Sequence, residues 1–128
     1  MDVHVEGLGI REVKAVLEGI FKGCEVVIPH TIMGSAHASL SFYEYEIRVI
    51  LSGRKQPNRP IHFRFMQRTK SGNKKVKHII NEVRTTDPDE LLTAIKDAKA
   101  HLLGIAHAIR SAFSEKRVSE VTSIADLL

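Results

Sequence analysis

Near its start the chain repeats apolar residues at helical spacing. Ile10, Val13, Val16, Leu17, Ile20 and Phe21 fall on one side of a helix predicted over 10–22, and Gly23 stands where a helix end commonly takes a left-handed residue. Residues 24–28 are rich in β-branched side chains and run into Pro29, which predicts a short strand stopped by proline or confined to an edge. Residues 33–38, with Gly34 and small neighbours, read as a loop. From residue 43 the period changes to two: Tyr43, Tyr45, Ile47, Val49 and Leu51 share one face, and Glu44, Glu46 and Arg48 share the other.

Turn residues fill 52–59, and Pro60 opens a second alternating run in which Ile61, Phe63 and Phe65 oppose His62, Arg64 and Arg68. The sequence Lys70-Ser71-Gly72-Asn73 is a hairpin signal, followed by a third run over 75–84. Asp87, Pro88 and Glu90 then supply an N-cap, an N1 proline and an N3 carboxylate. Leu91, Ile95, Ala98, Leu102, Ile105, Ile109 and Phe113 continue as one stripe, predicting a helix over 87–113 that covers the sheet. Val118, Val121, Ile124 and Leu128 keep a looser helical spacing among polar residues in 115–128.

These patterns predict a single α+β domain over 1–128. It has an N-terminal amphipathic helix, an antiparallel β-meander of three to four strands within 24–84, a long C-terminal helix on one sheet face, and a short amphipathic tail. A length of 128 residues, 43% of them hydrophobic, suits one core. No stretch approaches the roughly 20 apolar residues of a membrane span, and the first ten residues match no secretory signal or transit peptide. Cys24 is the one cysteine, which excludes an internal disulfide. The expected setting is cytoplasmic, in the cell of origin or in a host.

Charge changes the picture. Residues 54–84 hold ten of the nineteen Lys and Arg against the single acid Glu82, so this stretch is +9 and the rest −5. Self-repulsion on that scale is offset by nearby acids or by an anionic partner. Matching core faces pairs Leu51 with Ile61, Val49 with Phe63 and Ile47 with Phe65. The opposite face then sets Arg48 against Arg64, Glu46 against Met66 and Glu44 against Arg68, with cross-strand terms of roughly 0.2–1 kcal/mol. The expected basic surface joins that face to the 54–59 loop and the 70–75 turn. Its candidate contacts are Arg54, Lys55, Arg59, Arg64, Arg68, Lys70, Lys74, Lys75 and Lys77. A solvated, aggregation-resistant face would show the same composition.

Other chemistry finds little support in the spacing. His101 and His107 are six apart on a helix, about 120° from facing each other, and His30 and His37 flank a loop without an acid or cysteine pair, so no metal site is expected. His62 and His78 fall in the basic meander and read as hydrogen-bonding strand residues. Cys24 has no activating surroundings, and Gly7 with Gly9 lacks the strand and third glycine of a phosphate loop. No catalytic constellation and no cofactor are expected. Two functional readings follow. One is a small nucleic-acid-binding module that holds phosphates; Phe63 and Phe65 are assigned to the core, which disfavours base stacking. The other is a protein-binding inhibitor or adaptor, of immunity or anti-defence type, that docks an acidic partner. Val118, Val121, Ile124 and Leu128 suggest a homodimer or partner contact.

Overall fold

In the computed structural model, residues 7–29 and 34–112 are described. The predicted tail 115–128 and Phe113 lie outside them. The elements run α1 (Ile10–Ile20), β1 (Val26–Val27), β2 (Ser35–Phe42), β3 (Tyr45–Ser52), β4 (Ile61–Ser71), β5 (Lys74–Thr85) and α2 (Pro88–Ala112). The strands form one antiparallel sheet in chain order, with β1 and β5 at its edges. The fold is α+β, as the sequence patterning predicts, with five strands in place of three to four.

Both helices lie on one side of the sheet. Val13 and Leu17 of α1, Phe21 just past its end, and Leu91, Ala94, Ile95, Ala98 and Leu102 of α2 join Leu40, Phe42, Ile47, Val49, Leu51, Ile61, Phe63 and Phe65 in a single buried cluster. A phenylalanine buried as fully as Phe63 contributes on the order of 2–3 kcal/mol. The opposite sheet face carries no covering element among the described residues.

The β3–β4 register is the expected one: Leu51 pairs with Ile61, Val49 with Phe63, Ile47 with Phe65, Arg48 with Arg64 and Glu46 with Met66. Three local expectations change. The stretch 33–38, read as a loop, holds the first half of β2, whose Ala36, Ala38, Leu40 and Phe42 share the helix-covered face with β3. Its period of two was present, but small alanines and serines give it little contrast. The predicted strand over 24–28 shrinks to Val26–Val27. Tyr43, expected in the core row, sits in the β2–β3 turn at φ 54 and is 61% exposed, because a two-residue turn needs a left-handed residue there. Gly23, at φ 89, takes the left-handed position just past α1.

The start of α2 differs in one half of its cap. Asp87 Oδ1 accepts the Asp89 N–H at 2.9 Å, as an N-cap should. The Asp87 N–H donates to Thr85 Oγ1 at 3.0 Å, so threonine does what a capping-box Glu90 would do. At α1 the acid does reach back: the Gly9 N–H donates to Glu12 Oε1 at 3.1 Å.

The β4–β5 hairpin departs from a regular ladder at one point. Phe65 pairs with Asn81 and Met66 with Ile79, leaving Ile80 as a bulge. An extra residue reverses side-chain parity beyond it. As a result Val83 pairs with Phe63 on the covered face, and Glu82 pairs with Arg64 on the open one. A regular ladder would have buried the glutamate and exposed the valine.

Candidate anion-binding surface

Cross-strand pairing places His37 and Ser39 (β2), Glu46 and Arg48 (β3), His62, Arg64, Met66, Arg68 and Lys70 (β4), and Lys75, Lys77, Ile79, Glu82 and Arg84 (β5) on the open face. Its centre is packed to interior standard, with Met66 0% and Glu46 4% exposed. A buried carboxylate needs charged or hydrogen-bonding partners, and Glu46 has both kinds. Arg48 Nη2 lies 2.8 Å and Lys77 Nζ 3.4 Å away, and the Ser39 hydroxyl donates at 3.4 Å. Burial works to raise the Glu46 pKa, but Arg48 and Lys77 outweigh it and hold the carboxyl below its ordinary range.

Glu82 serves the next group of cations. His62 Nε2 lies 2.5 Å from its carboxylate, Arg84 Nη2 3.7 Å and Arg64 Nε 3.8 Å. The hydrogen bond from His62, helped by the charges of Arg84 and Arg64, lowers the Glu82 pKa. Arg48 and Arg64, a like-charged pair across the strands, are thus drawn to different acids. Their Nε atoms remain buried without a hydrogen bond, so the compensation is incomplete. Glu44, expected to answer Arg68, instead accepts from Gln67 Nε2 at 2.9 Å, while Arg68 Nη2 donates to the Tyr43 carbonyl at 3.1 Å.

The 54–59 loop and the 70–75 turn lie at opposite ends of the eleven-residue β4, about 35 Å apart at ~3.3 Å per residue. They cannot grip one small anion together. In the loop, Arg59 turns inwards. It is 8% exposed, and its guanidinium donates to the carbonyls of Gly53 (2.8 Å), Ser52 (3.2 Å) and Leu8 (3.2 Å). Arg59 therefore leaves the list of surface contacts and becomes a clamp between the N-terminal segment and the loop. Gly7 belongs to the same joint: a Cβ there would stand 1.8 Å from the Gln56 carbonyl oxygen. Lys55 pairs with Glu12 at 3.3 Å, and Arg54 is exposed with no ion pair among the described residues.

At the other end the hairpin outruns the sheet. Pairing of β3 with β4 stops at Tyr45–Gln67, and the Arg68 N–H donates to the Glu44 carbonyl at 2.7 Å. Beyond that root, Thr69–Val76, Lys70–Lys75 and Ser71–Lys74 continue as a two-stranded ribbon closed at Gly72, whose φ is 65. Every residue from Lys70 to Lys75 is exposed. Lys70, Lys74 and Lys75 make no ion pair among the described residues, whereas Arg48, Arg64, Lys77 and Arg84 share the two glutamates.

The remaining chemistry-bearing residues are spread apart. Burial raises the Cys24 thiol pKa, the opposite of activation. His101 packs its ring edge-on to Phe65 at 5.4 Å between centroids. His37 is pushed down by burial and then by Arg48. A hollow of about 390 Å³ beside the Arg59 clamp is lined by Leu8, Glu12, Pro57 and Thr86, and both of its ionic groups, Glu12 and Arg59, already hold the loop. Val118, Val121, Ile124 and Leu128, expected to contact a partner or second copy, lie outside the described residues, as does His30.

The sequence missed Glu82 as the organising acid. A regular hairpin register turns it inwards, and only the Ile79-Ile80 doublet hinted at a break in parity. Compared with known families, curated proteins and solved structures, the chain matches none.

Proposed function

We propose that the protein is a small non-enzymatic binding module that contacts nucleic-acid phosphates, chiefly through the ribbon lysines Lys70, Lys74 and Lys75, with Arg68 and Lys77 at the root. One observation carries this reading: the cations of the sheet body are shared with Glu46 and Glu82, while the ribbon holds three lysines that make no ion pair among the described residues. Unshared lysines release counterions on meeting phosphate, and that release is the main source of sequence-independent affinity. The lone cysteine is compatible with a cytoplasmic setting, and among the described residues no helix is long and apolar enough to cross a membrane.

Ile79 favours a second reading. It is 50% exposed beside the cations of the open face, where an acidic partner protein could bury it, as an inhibitor or adaptor module would require. The two readings separate in one titration against duplex DNA, single-stranded DNA and RNA at two salt concentrations. Phosphate contact predicts affinity that falls steeply with salt. The triple change Lys70→Gln, Lys74→Gln, Lys75→Gln should lower the log–log salt slope by about 2 to 3, at ~0.9 per lost duplex phosphate contact. Ile79→Ser should leave nucleic-acid affinity unchanged. Failure to bind any of the three polymers at low salt would end the first reading in favour of the second.

A further inference from the structure

We infer that the β4–β5 ribbon enters the major groove of B-form duplex DNA, an inference that rests on the phosphate-binding reading above. A B-form major groove, about 12 Å wide and about 8.5 Å deep, admits a two-stranded β-ribbon. The ribbon extends three residue pairs past its Arg68–Lys77 root, about 10 Å at ~3.3 Å per residue, so its reach matches the groove depth. Its chemistry is graded in the same direction. Arg68 and Lys77 stand at the root, where the flanking phosphates would lie, and Lys70 and Lys75 follow along the shaft. Ser71 and Asn73 at the tip are short hydrogen-bonding side chains suited to base edges at the groove floor.

The same features exclude other nucleic-acid forms. An A-form major groove is deep and too narrow for side chains, so an RNA duplex offers the ribbon no entry. Single strands are held by stacking on exposed aromatic rings, and the ribbon has none, while Phe63 and Phe65 are buried under the helices. Minor-groove binders wedge apolar side chains between bases, and the Ser71-Gly72-Asn73 tip has no wedge to insert.

The test uses the full chain with a DNA duplex, an RNA duplex of the same sequence and a single DNA strand, combined with dimethyl sulfate footprinting, which reads guanine N7 in the major groove. The expected result is a preference for duplex DNA of about tenfold or more over the other two, with N7 protection along part of one groove face. A variant in which 69–76 is replaced by Asn-Gly, linking Arg68 to Lys77 through a two-residue turn, should lose both the preference and the protection while keeping its circular dichroism spectrum. The milder Asn73→Ala should bind with weaker N7 protection, and the wild-type footprint decides the matter even if the shortened chain does not fold. Equal affinity for RNA duplex or single strand, or reactive N7 positions throughout a bound duplex, overturns groove entry and leaves phosphate contact standing. No binding to any of the three overturns both and returns the ribbon to the acidic-protein reading.

Discussion

Arg59 and Glu46 carry opposite charges into places where water is scarce, and each is held by different chemistry. Arg59 makes no ion pair among the described residues; three backbone carbonyls take its donors and burial lowers its pKa. Arg59→Ala leaves those acceptors unsatisfied and detaches the Gly7–Leu8 segment from the loop, at an expected cost of about 3 kcal/mol in chemical denaturation. Arg59→Lys should recover only a minor part, since one ammonium cannot serve three divergent carbonyls. Glu46 works through pH. Its folded pKa lies below its unfolded value, so the stability it contributes is present above the unfolded pKa of about 4.3 and is lost as pH falls through the folded one. Glu82 acts in the same direction. Denaturation free energies measured across pH should thus hold steady from neutrality to about 5 and fall below about 4. Glu46→Gln should flatten the fall and lower the neutral value by about 1–3 kcal/mol, because Arg48 and Lys77 lose their shared partner.

At the scale of elements, the bulge in β5 has the widest effect. An edge strand of twelve residues invites pairing with another chain, and lysines along it are one defence. The bulge is a second: parity reverses at Ile80, so a partner strand in register with one half is out of register with the other. Deleting Ile80 should keep the faces of Glu82 and Val83 while making the ladder regular. The expected outcome is a folded protein whose mass in sedimentation rises with concentration; a mass that stays constant removes the bulge's protective role. Elements with high-contrast periodicity were legible in the sequence: α1, the β3–β4 register and the capped start of α2 all follow from large apolar residues at fixed spacing. β2 was not, since Ala36 and Ala38 fill the covered face with side chains too small to mark a period. The bulge was hidden because side-chain parity can be counted only while each residue advances the ladder by one step. That is also why the candidate surface could be outlined from composition but not divided into shared and unshared cations, a division that depends on where Glu46 and Glu82 point.

Across the whole molecule, charge is sorted along the sheet: a braced loop at one end, a middle balanced by two glutamates, and a lysine-rich ribbon at the other. Net charge alone conceals this gradient. If phosphate contact spreads from the ribbon onto the open face, Glu82→Gln frees Arg64 and Arg84 and should tighten nucleic-acid binding, with a salt slope steeper by about 1 to 2. Fluorescence anisotropy at graded salt reads this directly, and a weakened affinity would mean that Glu82 orients those arginines for contact. The same layout gives one strand two regimes of motion. From Ile61 to Gln67, β4 is hydrogen-bonded on both sides and its amides exchange with solvent only when the sheet itself opens. From Thr69 onwards it has a single neighbour, and a lone two-stranded hairpin is barely stable in water. Deuterium should enter the ribbon orders of magnitude sooner than the strand that continues it, opening from the tip back to the bond between Arg68 and the Glu44 carbonyl.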